Sequence, residues 1–303
     1  MRLKSTFAVP LLLIAVLLLT AFTGVFEDQI LSSGSSPYLT LLVIQMAVYA
    51  LPSLFFCRMR GREYTGRLRL SVFPPKHFFL MLFGLVAMLS GSALLNMGMM
   101  ALFPSGDFTG ASSVSVSAAS GDFLQMVYIL LTFAILPAIL EEFLFRGILL
   151  AEYETVGVKT AVFLSAFLFG IMHMQFLRLP AYMFTGILLA LIAYATRSVF
   201  ASMLVHAANN VAVLFLERYV YSAAADTKDT GVLLFFILMT ALLASLVLFA
   251  FVAQRIYEGY GEGNVESRYI QKKRKGAPGV TEALFAPPLI LLVALAVIFA
   301  AVL

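Results

Sequence analysis

The chain alternates long apolar stretches with short segments that hold most of its polar residues. A helix that crosses a bilayer needs about 20 mostly apolar residues. Nine stretches meet or approach this length, and the sixth, which follows Pro180, is the shortest. The predicted spans are residues 7–26, 37–57, 77–103, 124–150, 158–177, 180–196, 199–217, 231–253 and 284–303. This pattern predicts an all-α fold, a polytopic transmembrane helix bundle of about 8–9 spans.

Composition supports a membrane protein and excludes other classes. Hydrophobic residues make up 62% of the chain and charged residues 12%, and the mean hydropathy is +0.99. A soluble domain is about 45–50% apolar and about 25% charged. The composition therefore excludes a soluble globular enzyme, a disordered protein and a disulfide-rich secreted scaffold. The single cysteine, Cys57, cannot form an intrachain disulfide.

The distribution of positive charge predicts the orientation. If the N-terminus is cytoplasmic, 17 of the 20 lysine and arginine residues fall on the inner side of the predicted spans. Such an excess is typical of cytoplasmic loops. The run at 271–275 is expected to anchor this topology against the lipid bilayer, and no nucleic-acid partner is expected. Residues 1–26 are expected to form an uncleaved first helix, with a signal peptide as the alternative. The predicted location is the cell membrane, as a multi-pass protein.

Ionisable and strongly polar residues inside the predicted spans are the functional candidates. A charge within the bilayer is unfavourable by about 2.5 kcal/mol or more, so such residues are functional by default. The fourth span holds Glu141, Glu142 and Arg146, the fifth holds His173, and the seventh holds His206 and Asn210.

Helical spacing assigns different roles to the two glutamates. Glu142 and Arg146 are four residues apart, share a helix face and are expected to form a structural ion pair. Glu141 lies about 100° around the helix from Glu142 and has no local partner. An unpaired, desolvated carboxylate is suited to proton transfer. Glu141 is therefore the first candidate for catalysis.

Depth along the helices suggests that these residues meet. Glu141 and His173 lie 16 residues before and after Gly157, so both are about 24 Å from the turn between the fourth and fifth spans. His206 enters the bilayer from the same side, and Asn210 follows one turn later on the same face. The sequence predicts that the four share a pocket open to the cytoplasm. The turn itself, which carries Glu152 and Glu154, is expected to project into the cytoplasm.

Several known intramembrane chemistries do not fit this set. The predicted spans contain no aspartate, no GxSG-like serine accompanies a histidine, and neither membrane histidine begins an HExxH motif. Two options remain open. Glu141 and a histidine activate a water directly, with His206 and Asn210 hydrogen-bonding the oxyanion, or the carboxylate and imidazoles hold a metal ion that activates it.

Three segments resemble the motifs of one family, the CAAX-protease and bacteriocin-processing (CPBP) intramembrane endopeptidases. EEFLFR at 141–146 is similar to the family's EExxxR motif, FGIMH at 169–173 to its FxxxH motif, and HAANN at 206–210 to its HxxxN/D motif. The order and spacing also agree, and the resemblance covers roughly 123–215. It suggests a division into N-terminal spans with an outer loop (1–122), a catalytic core (123–215) and C-terminal spans with a basic loop (216–303).

The resemblance implies hydrolysis of a peptide bond within the membrane, near the cytoplasmic face. It implies that Glu141 activates the water with help from His173, and that His206 and Asn210 stabilise the oxyanion. Glu142 and Arg146 would support them. The family has been described both as metal-free and as metal-dependent. We expect no cofactor here, with a zinc ion held by Glu141, His173 and His206 as the alternative.

The substrate expected from the resemblance is a membrane-associated protein or peptide. Eukaryotic relatives remove the last three residues of prenylated CAAX proteins, and bacterial relatives are linked to bacteriocin maturation or self-immunity. Two other functions remain open. One is a non-proteolytic membrane scaffold or immunity factor, and the other is a proton-coupled transporter, against which the absence of an internal repeat counts.

Overall fold

A computed structural model describes residues 4–26, 37–106, 108, 123–225, 229–260 and 279–302. These ranges are mainly helical and contain no strand, which confirms the all-α prediction. Within them, eight helices are long and apolar enough to cross a membrane, and a ninth, α5, is shorter. The helices are α1 (Ser5–Val25), α2 (Tyr38–Arg60), α3 (Pro75–Leu102), α4 (Phe123–Tyr153), α5 (Val158–Met172), α6 (Phe176–Thr196), α7 (Val199–Ala224), α8 (Thr230–Glu258) and α9 (Val280–Val302).

Helix α5 is shorter than the span predicted at 158–177. It ends at Met172, and Met174 has a positive φ of 55°, a conformation that breaks a helix. The chain then forms a 3₁₀ turn at Phe176–Arg178 and continues into α6. His173 therefore lies just beyond the last turn of a helix of 15 residues, about 22 Å long.

Helices α2 and α4 contain wide π-helical turns. Those at Met46–Ala50 and Leu131–Ile135 each lie just before a proline, Pro52 and Pro137. A proline ring clashes with the carbonyl four residues earlier in a regular α-helix, and a wider turn relieves the clash. A third π-helical turn, Phe143–Leu149, follows Glu142 directly. Such turns are frequent at functional sites.

The helices that carry the candidate residues pack at the centre of the bundle. Helix α6 packs against α5 and α3, and α7 packs against α3 and α4, while α8 covers α3. The outer face of α8 exposes large apolar side chains, among them Phe236, Leu243 and Val247, as expected for a surface that faces lipid. The division of the chain at 122/123 and 215/216 stays a prediction.

The turn between α4 and α5 does not project from the bundle, so that expectation is wrong. Glu152 and Glu154 are almost fully buried. Arg60 donates to Glu152 at 2.6 Å, Arg67 lies 3.8 Å from the same carboxylate, and Arg69 pairs with Glu154. The end of α2 and the segment that leads to α3 fold over this turn, because their guanidinium groups find carboxylate partners there.

Candidate active site

A cavity of about 510 Å³ lies between α3, α4, α6 and α7. Glu141, His173, His206 and Asn210 all line its wall, so the structure brings together the four residues that the sequence selected. Glu141 comes from α4, His206 and Asn210 come from α7, and His173 comes from the turn after α5. Most of the remaining wall is apolar.

Glu142 forms the ion pair predicted from its spacing. Its Oε1 atom accepts a hydrogen bond from Arg146 Nη1 at 2.5 Å, and both side chains are fully buried. Arg146 Nη2 also donates to the carbonyl of Gly186 on α6 at 3.0 Å. The same Glu142 oxygen lies 2.9 Å from His206 Nδ1. The sequence did not predict this last contact, which fixes the His206 ring between α4 and α7.

Glu141 is the unpaired carboxylate. Its side chain is 14% exposed, lines the cavity and accepts no hydrogen bond from the residues that the structure describes. His206 Nε2 lies 4.0 Å from its Oε2 atom. The imidazole of His206 therefore has Glu142 on one side and Glu141 on the other. As its spacing predicts, Glu141 accepts no hydrogen bond from the described residues of its own helix, and His206 of α7 lies at ion-pair distance.

His173 is held by backbone and aromatic contacts. Its Nδ1 atom lies 2.7 Å from the carbonyl of Phe169. A carbonyl only accepts, so Nδ1 carries the hydrogen, and Nε2 is left with a free lone pair. The ring stacks on Tyr182, with centroids 4.0 Å apart and planes at 22°. Phe169 presents its ring to both His173 and His206, at 4.6 and 5.6 Å between centroids.

Asn210 lies on the cavity side of α7. Its Nδ2 atom donates to the carbonyl of Ala134 on α4 at 3.4 Å, a long and weak hydrogen bond. A carboxamide carries two N–H groups, so one remains for another acceptor. Asn210 can therefore contribute to a site on the α4 side of the cavity.

The cavity also contains a second cluster of polar residues, which was not selected from the sequence. Arg178 at the start of α6 pairs with Glu217 on α7, and Asn96 of α3 donates to Tyr221 at 3.3 Å. Glu217 is the last residue of the predicted seventh span, whereas α7 continues to Ala224, so Glu217 lies about two turns from the helix end. Its spacing of 11 residues from His206, three helical turns, was the available signal.

The cavity extends away from the arginine-rich end of the bundle. Glu217 and Tyr221 lie beyond His206 on α7, and Asn96 lies beyond Leu89 on α3, in each case farther from the turn between α4 and α5. The direction in which the site opens depends on the orientation of the bundle in the membrane, so a site open to the cytoplasm stays a prediction.

The three residues considered as zinc ligands do not form a ligand group. Within the described parts of the chain, no three histidine, cysteine, aspartate or glutamate side chains converge closely enough to hold a metal ion. His206 Nδ1 is engaged by Glu142 and His173 Nδ1 by the Phe169 carbonyl, so only the two Nε2 atoms are free to bind a metal ion. Zinc requires three or four converging ligand atoms. The described residues as placed do not fit a zinc ion.

Comparison with known proteins identifies the segment that builds the site. The family model described as type II CAAX prenyl endopeptidase Rce1-like matches residues 123–212, just under a third of the chain. This segment includes the six candidate residues selected from the sequence: Glu141, Glu142, Arg146, His173, His206 and Asn210. No curated protein and no solved structure matches the chain.

The match confirms the resemblance found in the sequence and relates the segment to a protease family. Together with eight candidate spanning helices in the described residues, it points to a multi-pass membrane protein with a segment of the CAAX-protease type.

Proposed function

We propose that the chain is an intramembrane endopeptidase that hydrolyses a peptide bond of a membrane-associated protein or peptide. The observation that carries the proposal is the placement of Glu141. Its unpaired carboxylate lines the same cavity as His173 and His206, and no cation neutralises it within hydrogen-bond distance among the described residues. A general base needs a free lone pair within reach of a water molecule and of the reacting carbonyl.

In the proposed reaction, Glu141 and His173 activate the water. The Glu141 carboxylate removes a proton from the water while the water oxygen attacks the carbonyl carbon of the scissile peptide bond. His173 Nε2, whose lone pair is free because Nδ1 donates to Phe169, accepts a hydrogen bond from the second O–H of the water and orients it. The proton held by Glu141 then passes to the leaving amine nitrogen as the carbon–nitrogen bond breaks.

His206 and Asn210 are proposed to stabilise the oxyanion that forms during the attack. Glu142 holds His206 Nδ1–H, so the Nε2 side of the ring faces the cavity. When the ring is protonated at both nitrogens, Nε2–H becomes a donor beside the reacting carbonyl. Donors already aimed at the developing charge are worth about 3–4 kcal/mol each in comparable sites. The remaining N–H of Asn210 would supply a second donor from the same helix.

The largely apolar cavity wall favours a substrate that approaches from the membrane. A peptide attached to a lipid, or one that lies within the bilayer, would bring its scissile bond to this depth without exposing the polar site to lipid. The cleavage assay that follows includes peptides with and without a prenyl group, so that it shows whether the substrate must be prenylated.

The test is cleavage of a quenched fluorescent peptide library by the purified protein in detergent. We expect Glu141→Gln to abolish cleavage without changing the melting temperature, because the carboxamide has the same shape and cannot act as the base. Glu63→Gln, an exposed glutamate between α2 and α3, is the matched control and is expected to retain activity. Phenanthroline is expected to leave wild-type activity unchanged.

Other outcomes would identify another function. Activity lost with both Glu141→Gln and phenanthroline would indicate a metal-dependent protease whose ligands rearrange on binding. Folded wild-type protein that cleaves no peptide, prenylated or plain, would overturn the proposal and favour a scaffold or immunity factor. Substrate flux driven by a pH gradient in proteoliposomes, with no cleaved product, would favour a proton-coupled transporter.

A further inference from the structure

Asn209, the residue before Asn210, has a position in the cavity that none of the motifs explains. Its side chain is only 9% exposed and lines the cavity wall. Its carboxamide makes no hydrogen bond to any residue that the structure describes. Asn210, by contrast, donates to the carbonyl of Ala134. Asn209 is thus a buried carboxamide that presents two N–H donors and a carbonyl acceptor to the cavity alone.

The two asparagines lie on opposite sides of the cavity face of α7. Successive helical residues are about 100° apart, so if His206 defines 0°, Asn210 lies at about +40° and Asn209 at about −60°. Asn210 turns toward α4, where Ala134 lies. Asn209 is turned the other way and is three residues from His206, which places their Cβ atoms about 5–6 Å apart.

We infer that Asn209 is a substrate-binding residue whose carboxamide pairs with the backbone of an extended peptide, one or two residues from the scissile bond. The inference rests on the proposed protease function. A carboxamide has the same donor and acceptor pair as a peptide group. Its N–H can donate to a backbone carbonyl while its oxygen accepts from a backbone N–H, as neighbouring strands do. An extended chain advances about 3.3 Å per residue, so 5–6 Å from His206 corresponds to one or two residues.

The physical reason for such a contact is the largely apolar wall of the cavity. A peptide that enters the cavity leaves water, and each backbone N–H and C=O that finds no partner there makes binding less favourable. The apolar side chains that line most of the wall cannot supply these partners. Asn209 can supply both a donor and an acceptor beside the catalytic residues, without giving up a contact of its own.

A substrate-binding role and a structural role make opposite predictions for stability. A structural Asn209 would lose a stabilising contact on mutation. A substrate-binding Asn209 has no such contact, so Asn209→Ala is expected to leave the melting temperature of the protein unchanged or raise it. The same variant is expected to lower kcat/KM about tenfold. Asn209→Asp, which keeps the acceptor and loses the donor, is expected to show a similar loss.

The decisive experiment changes the substrate backbone. A peptide that wild type cleaves is remade with single ester or N-methyl replacements at each position flanking the scissile bond, which remove one backbone N–H at a time. At the position that Asn209 contacts, the replacement should lower kcat/KM about tenfold in wild type and add little further loss in Asn209→Ala. At the other positions, the losses should be equal in the two proteins.

Three results would overturn the inference. They are unchanged kcat/KM in Asn209→Ala, a clear fall in its melting temperature, and losses that add independently at every substrate position. Each is distinguishable from failure of the proposed function, in which wild type would cleave nothing or Glu141→Gln would remain active.

Discussion

Glu141 and Glu142 are neighbours with the same side chain, but their different surroundings give them different roles. Glu142 is fully buried and holds Arg146 and His206 at once, so it is committed to positioning. Glu141 has part of its side chain exposed to the cavity and no hydrogen bond from the described residues. The difference follows from a rotation of about 100° along one helix, which turns one carboxylate into the packed interior and the other into open space.

The double contact of Glu142 predicts the behaviour of a charge swap. Glu142→Gln or Arg146→Gln should each reduce folded protein strongly, because breaking a buried pair costs about 3–5 kcal/mol. The combined Glu142→Arg and Arg146→Glu variant restores an i,i+4 pair and should recover part of the folded protein, measured by thermal unfolding in detergent. Hydrolysis should stay absent, because His206 has lost its carboxylate. Equal loss of folded protein in all three variants would contradict the pairing.

The stacking of Tyr182 on His173 predicts that Tyr182 is a positioning residue. Tyr182→Phe keeps the ring and loses only the hydrogen bond from its hydroxyl to Gln175, so kcat should change little. Tyr182→Leu removes the ring face, and kcat should fall about tenfold while KM changes less, since a 1 Å displacement of a catalytic group is costly. A fall of the same size in both variants would instead assign the role to the hydroxyl.

At the scale of the helices, the site depends on a close approach between α5 and α6. A Cβ atom at Gly186 would lie 2.8 Å from the Cα of Ala166, so only glycine allows this distance. The carbonyl of Gly186 also accepts the hydrogen bond from Arg146. Small residues at a membrane helix interface allow backbones to come close. The helix pair that ends beside His173 is therefore fixed to α4 at the level of the ion pair.

Gly186→Ala should separate α5 from α6. We expect it to destabilise the protein by about 1–3 kcal/mol, as overpacking of a tight interface does, and to lower activity through Arg146. Gly98→Ala on α3 is the matched control, because a Cβ there meets nothing within 4 Å. Thermal unfolding in detergent should show a lower melting temperature for the first variant and an unchanged or higher one for the second. Equal melting temperatures would show that the interface relaxes.

At the scale of the whole molecule, the ion pairs of Glu152 and Glu154 and the cavity lie toward opposite ends of the bundle. Arg60 at the end of α2 pairs with Glu152, and Arg69 in the following segment pairs with Glu154, beside the turn between α4 and α5. The cavity extends toward the opposite end. The guanidinium groups that pair with Glu152 and Glu154 are among those that the positive-inside rule would place on the cytoplasmic side. These arginines therefore contribute to packing, and their place in the membrane topology stays a prediction.

Labelling of single cysteines tests the orientation. In a Cys57→Ser background, Gly66→Cys and Ser105→Cys place exposed thiols near opposite ends of α3. An impermeant maleimide added to intact cells should label the thiol at position 105, and the thiol at position 66 only after permeabilisation. The Cys57→Ser parent, which has no cysteine, should not be labelled. The reverse pattern would show that the N-terminus is not cytoplasmic.

The sequence alone determined the class of the fold and the identities of the candidate residues. Apolar length identifies a spanning helix, because the bilayer sets how many residues must be apolar. Polar residues within an apolar span are rare for the same reason, so Glu141, His173, His206 and Asn210 could be selected. Three motifs that contain them resemble those of a known family. The Glu142–Arg146 pair was also predictable, since it lies within one turn of one helix.

The tertiary structure decided what depends on two helices at once. The contact of Glu142 with His206, the stacking of Tyr182 on His173 and the pair of Arg178 with Glu217 each join residues that are distant in sequence. Their formation depends on helix length and crossing, and on where helices end. Periodicity within one helix contains none of this information. The burial of Glu152 and Glu154 was mispredicted for the same reason, because their arginine partners come from a segment more than 80 residues away.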